Sequence, residues 1–154
     1  MNILKHGYGI LIKAGSLLRS PLLLLCRLYW GWLFFLAGLG KLGNIAGFTP
    51  FLESMGIPLP VFNAYLVGIV EMFGGLCLIL GLGSRLAALL LAFTMFMAYY
   101  LADTASLKAL FHDPALFVSA APFQFLLASL MVLAFGPGRF SLDYILEKWV
   151  FKKH

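Results

Sequence analysis

The segment VFNAYLVGIVEMFGGLCLILGL, residues 61–82, decides the fold. A helix of about 20 residues, at about 1.5 Å per residue, crosses the ~30 Å hydrocarbon core of a bilayer. This segment is long enough, and its one charged residue, Glu71, stands near the middle. Three further apolar runs share its character: Pro21–Gly40, Leu86–Leu101 and about Leu116–Phe135. Leu86–Leu101 is short on apolar residues alone, so flanking Arg85 and Ala102–Asp103 are expected to complete it.

Composition agrees. The 154 residues are 62% apolar and 11% charged, with a mean hydropathy of +0.98. Soluble domains average about 45–50% apolar and ~25% charged. A single small domain has too little interior to hide that excess, so it must face lipid. The net charge of +5 then reads as loop charge that attracts anionic headgroups, and not as a nucleic-acid footprint. The expected fold is an all-α membrane protein, a four-transmembrane-helix bundle.

Residues 1–20 carry no secretory signal pattern, because Lys5, Lys13 and Arg19 interrupt them. On a helix, Lys5, His6, Lys13, Ser16 and Arg19 share one arc, with Ile3, Leu4, Tyr8, Ile10, Leu11, Leu17 and Leu18 covering the rest. This predicts an N-terminal interfacial amphipathic helix whose lysines reach to headgroups. In the first loop, Thr49-Pro50 supplies a cap and a first-turn proline, and Gly56 a stop. A short outer-surface helix over Pro50–Met55 is expected there. The organisation is thus 1–20 amphipathic helix, 21–143 four-helix domain and 144–154 basic cytoplasmic tail.

Loop charge sets the orientation. With both termini cytoplasmic, the inside holds Lys5, Lys13, Arg19, Arg85, Arg139, Lys148, Lys152 and Lys153, and the outside only Lys41 and Lys108. That is a positive-inside distribution.

Two charges lie inside spans. A charge at the bilayer centre costs about 2.5–3.5 kcal/mol even on the insertion scale, so such residues face the bundle interior and need partners. Arg27, Gly31, Phe34, Gly38 and Lys41 line one face of the first span, and Ala64, Gly68, Glu71, Gly75 and Leu78 one face of the second. Small residues on both faces permit close helix approach in lipid. The expectation is that Arg27 and Glu71 meet across this seam, either as a register-fixing pair or with Glu71 exchanging a proton. The same glycine faces could instead serve a homodimer. Near the outer boundary Lys41, Tyr99, Asp103 and Gln124 form a second polar group. The candidate ligand-binding residues are therefore Arg27, Lys41, Glu71, Tyr99 and Gln124, with Glu71 the candidate catalytic one.

The sequence has no Cys/His cluster for a metal and no flavin, haem or iron–sulfur motif. No intrinsic cofactor is expected. Cys26 and Cys77 read as small buried hydrophobes; a bridge between them is possible in depth but unusual beside a reducing cytoplasm.

The chain resembles the DoxX family of small bacterial membrane proteins. The likeness rests on Arg27 with Gly31, Gly38 and Lys41, on Glu71-Met-Phe-Gly74-Gly75, on Leu80-Gly81-Leu-Gly83-Ser-Arg85 and on Gly136-Pro-Gly-Arg-Phe-Ser-Leu-Asp143, over about residues 21–143. It implies a four-helix fold in the bacterial inner membrane and association with redox systems. Some members are a subunit of thiosulfate:quinone oxidoreductase, and others belong to oxidative- or thiol-stress complexes. Some carry a histidine near the outer end of the third span, where this chain has Tyr99 to Asp103. The resulting expectation is an accessory subunit of a quinone-linked redox system, with a soluble or membrane redox partner. A non-catalytic scaffold for a soluble partner and an oligomeric small-solute transporter are the alternatives.

Overall fold

The computed structural model describes residues 2–150. The side chains of Lys5, His6 and Lys13, on which the basic N-terminal face rests, and the tail residues Lys152 and Lys153 lie outside the described residues. Every regular element among the described residues is helical.

The chain folds as α1 (Asn2–Gly43), α2 (Ile45–Ser54), α3 (Pro60–Leu80), α4 (Ser84–Ala102), α5 (Thr104–Lys108), a 3-10 turn (Ala109–Phe111), α6 (Pro114–Ser119), α7 (Ala121–Phe135) and α8 (Leu142–Val150). Among the described residues, three stretches are long and apolar enough to cross a membrane: Gly15–Gly43, Pro60–Leu80 and Ser84–Ala102. No more than 33% of the most apolar window of any of them is buried within the chain. The apolar remainder, including Leu25, Phe73, Phe93 and Phe96, faces outward, as contact with lipid requires.

α1 differs from the two-part expectation. It runs without interruption through Pro21, so the amphipathic segment and the span are one helix of 42 residues. At 1.5 Å per residue this is about 63 Å, twice the bilayer core.

The fourth apolar run also differs. It is broken at Ala120, whose extended backbone (φ −65°, ψ 140°) separates α6 from α7. Pro122 follows in the first turn of α7, where its missing N–H costs nothing, whereas in a continuous helix it would clash with the carbonyl of Val118. The 15 residues of α7 span only about 22 Å.

In the first loop the helix begins five residues earlier than expected. Asn44, not Thr49, is its N-cap, accepting from Gly47 N at 3.1 Å. Thr49 lies inside and donates back to Ile45 O at 2.8 Å. Gly56 does supply a left-handed stop, at φ +69°.

α1 packs along α3, α3 beside α4 and α4 along α7, with α1 returning to touch α7. The shared core holds Phe34, Leu78, Ala88, Leu91, Met95 and Val132. Phe125 of α7 stands edge-on to Phe34 at 4.8 Å and to Trp30 at 5.2 Å, joining α1 and α7.

Candidate functional site

The α1–α3 seam is built on glycine. A Cβ on Gly38 would lie 2.3 Å from Met72 N, one on Gly75 2.6 Å from Gly31 O, and one on Gly31 2.9 Å from Gly75 O. Backbone therefore meets backbone, and these glycines are used within the chain. The contacts fix an antiparallel register in which Gly31 faces Gly75–Ile79 and Gly38 faces Gly68–Met72.

That register corrects the expected pair. Arg27 lies level with Gly81, about 15 Å along the axis from Glu71 at 1.5 Å per residue. Lys41 lies only about one turn from Glu71. Helical side chains lean toward their own N-terminus. In an antiparallel pair Lys41 and Glu71 therefore lean toward one another, whereas Arg27 and Glu71 lean apart. Accordingly Lys41 Nζ donates to Glu71 Oε2 in an ion pair. The Glu71 side chain is 2% exposed and that of Lys41 26%, so the pair is sealed on the α3 side and approachable from the lysine side. The Phe48 ring of α2 covers the ammonium, 5.7 Å from its centroid.

Arg27, fully buried, goes elsewhere. It donates to Pro137 O and, at 2.7 Å, to Phe140 O, while its Nε has no partner among the described residues. Around it the α3–α4 turn and residues 137–144 are clasped together. Asp143 accepts from Gly83 N at 2.6 Å and Ser84 N at 2.9 Å, capping α4 from a distance, and Asp143 N donates to Gly81 O at 2.8 Å. Ser141 sits so close that a Cβ on Gly81 would lie 2.5 Å from its own. Ser141 also opens α8 by accepting from Tyr144 N at 3.1 Å. In the sequence Leu80–Arg85 and Gly136–Asp143 stand as separate motifs, with nothing in their spacing to join them. The one legible signal was a serine three residues before Tyr144, the spacing of an N-cap bond.

The outer candidates separate. Tyr99 is fully buried, stacks on Phe117 at 4.9 Å and donates to Phe117 O at 2.7 Å. Asp103 accepts from Ser106 N at 3.2 Å and caps α5. Gln124 is exposed on α7. Neither Tyr99 nor Gln124 contributes a hydrogen bond to the Lys41–Glu71 pair. Cys26 and Cys77 are free thiols, each partly buried. Among the described residues no group of three or more His, Cys, Asp or Glu could hold a metal ion.

Long, lipid-facing helices, a glycine seam and a buried ion pair within it define a helical membrane protein. The sequence matches the DoxX family over residues 22–104, and the chain belongs to that family. It is 35% identical to the Bacillus subtilis (strain 168) protein named "Putative oxidoreductase CatD", over 78% of this chain and 83% of that one. It is 33% identical to "Inner membrane protein YqjF" of Escherichia coli (strain K12), over 81% of this chain and 92% of that one. No solved structure matches it.

Proposed function

We propose that the chain is an accessory subunit of a quinone-linked redox system in the bacterial inner membrane, and that the Lys41–Glu71 pair is its ligand site. The observation that carries the reading is a lysine and a carboxylate paired within a membrane span, one sealed and the other approachable. Charges at that depth are costly and are kept where they face a ligand or proton path. The name of the Bacillus subtilis relative supports redox work, and that of the Escherichia coli relative supports the location.

The donor set fits a carbonyl-bearing amphipathic ligand. The Lys41 ammonium can turn one of its three N–H bonds to a carbonyl oxygen while Glu71 accepts another. Glu71, already hydrogen-bonded, can hold a proton and return it to the same oxygen. Phe48, with the apolar outer surface of α1 and α3, gives a ring a path from lipid. A quinone, when bound, supplies the two-electron chemistry; the electrons come from a partner redox subunit, since this sequence carries no redox motif. Both termini are assigned to the cytoplasm by the loop charges, and the short α7, with α6 before it, is assigned the fourth crossing.

The test is purification in native lipid followed by solvent extraction and quinone analysis, for the native chain and for Glu71→Gln. The reading expects quinone retained by the former and depleted in the latter at equal folded yield. Absence of quinone from the native protein, together with no binding of added ubiquinone or menaquinone, would overturn it.

A further inference from the structure

At the opposite end of the bundle from Lys41, a cavity of about 650 Å³ opens between α1, the start of α4, the end of α7 and the residue 136–144 segment. Its lining includes Arg19, Arg85 and Arg139. Small-molecule sites run to about 300–1,000 Å³, so this one has room for more than an ion.

None of the three cations is in a close ion pair among the described residues. No carboxylate lies within 4.0 Å of Arg19, Arg85 or Arg139 among the described residues. Arg19 is partly used, donating to Phe135 O at 2.6 Å with its guanidinium 5.6 Å from the Phe135 ring centroid. Arg139 is held through its backbone, its N–H donating to Ser20 Oγ at 3.4 Å, which leaves its guanidinium uncommitted. Two acids line the cavity as well. Asp143 already accepts from Gly83 N and Ser84 N, and Glu147 stands exposed on α8.

Position limits the occupant. α4 begins at Ser84 and α7 ends at Phe135, so Arg85 and Arg139 stand where the apolar spans stop, and Arg19 reaches the same level through its bond to Phe135 O. On the membrane side the cavity is walled by Leu86 and Phe135, both more than half exposed. Beside it, α8 presents Leu142, Ile145, Leu146 and Trp149 outward, on the i, i+3, i+4, i+7 spacing of a single face. Guanidinium groups above an apolar wall, next to an outward apolar helix carrying a tryptophan, suit an amphiphile with an anionic head.

We propose that the Arg19–Arg85–Arg139 cavity binds the phosphodiester headgroup of an anionic phospholipid, with α8 lying in the same leaflet. Guanidinium groups engage phosphate oxygens bidentately, and basic pockets at the ends of membrane helices take such headgroups. The site is independent of the Lys41–Glu71 pair.

The full chain in phosphatidylcholine vesicles containing a minor fraction of phosphatidylglycerol is to be released directly into native mass spectrometry. Retention of one phosphatidylglycerol in preference to phosphatidylcholine is expected, with the preference lowered by about tenfold in Arg85→Gln/Arg139→Gln. The Arg85→Lys/Arg139→Lys chain keeps the charge and most of the preference. If the glutamine pair fails to fold, Arg139→Gln alone answers, because the backbone of that residue makes its structural bond. Equal retention of both lipids, or a preference unchanged in a folded glutamine variant, overturns the proposal. Displacement of the lipid by millimolar inorganic phosphate would overturn it too, by assigning the site to a free anion.

Discussion

Lys41 and Glu71 pair because α1 and α3 are antiparallel, each side chain leaning toward its own helix start and hence toward the other. The same geometry turns Arg27 away from Glu71 and toward the carbonyls of Pro137 and Phe140. The two buried charges of this bundle therefore do separate work at separate depths.

Removing one partner of the ion pair strands the other. Lys41→Met is expected to destabilise the protein by about 3–5 kcal/mol, while Lys41→Met/Glu71→Leu recovers most of that loss. Thermal unfolding in detergent, followed by circular dichroism, measures it. The double variant should fold and still lose quinone, which separates the pair's contribution to stability from the ligand role proposed for it.

The seam admits no side chain at Gly38. Gly38→Ala places a methyl where Met72 N and Gly68 O already stand, at an expected cost of about 3 kcal/mol or more. Gly40, two residues on, has nothing within 4 Å of a Cβ. Gly40→Ala should therefore be neutral or stabilising by up to about 1 kcal/mol. Unfolding midpoints of the two variants, compared under identical conditions, check the contrast.

Much of this seam was legible beforehand. Spacings of three and four residues placed Gly31, Phe34 and Gly38 opposite Ala64, Gly68 and Gly75, and all six are buried. The pairing across it was not legible, because depth counted from assumed span ends carries errors of several ångströms and ignores which way a side chain leans. Asn44 was missed because no first-turn proline marks it, whereas Thr49-Pro50 offers a cap and a proline together. The break at Ala120 was missed because apolar content does not register where a proline forces a new start. The clasp joins residues 59 to 113 positions apart, and no local pattern reports such a contact.

The clasp should open when its charges are removed. Asp143→Ala leaves Gly83 N and Ser84 N uncapped, for an expected loss of about 1–2 kcal/mol. Arg27→Met orphans the Pro137 and Phe140 carbonyls and should cost about 2–5 kcal/mol. Hydrogen exchange resolved by peptide should show faster exchange over residues 136–150 in both variants, while α3 changes little in Asp143→Ala.

Leu59 holds a left-handed backbone, φ 50° and ψ 56°, just before α3. That conformation costs a non-glycine residue about 1–2 kcal/mol. Asn63 Nδ2 steadies the turn by donating to Pro58 O at 2.7 Å. Leu59→Asn is expected to raise stability by about 1 kcal/mol, and Asn63→Ala to lower it by a similar amount. A denaturant series on both variants checks the opposite signs.

Arg27 also sets an order of events during biogenesis. The acceptor at Pro137 follows it by 110 positions. At about 5–20 residues per second, the ribosome delivers that acceptor on the order of 5–20 s after the arginine emerges. Through that interval the first helix holds a cation without its final acceptors, while α3 and α4 are still being threaded into the membrane. A message cut short before codon 136 would leave that cation permanently uncapped.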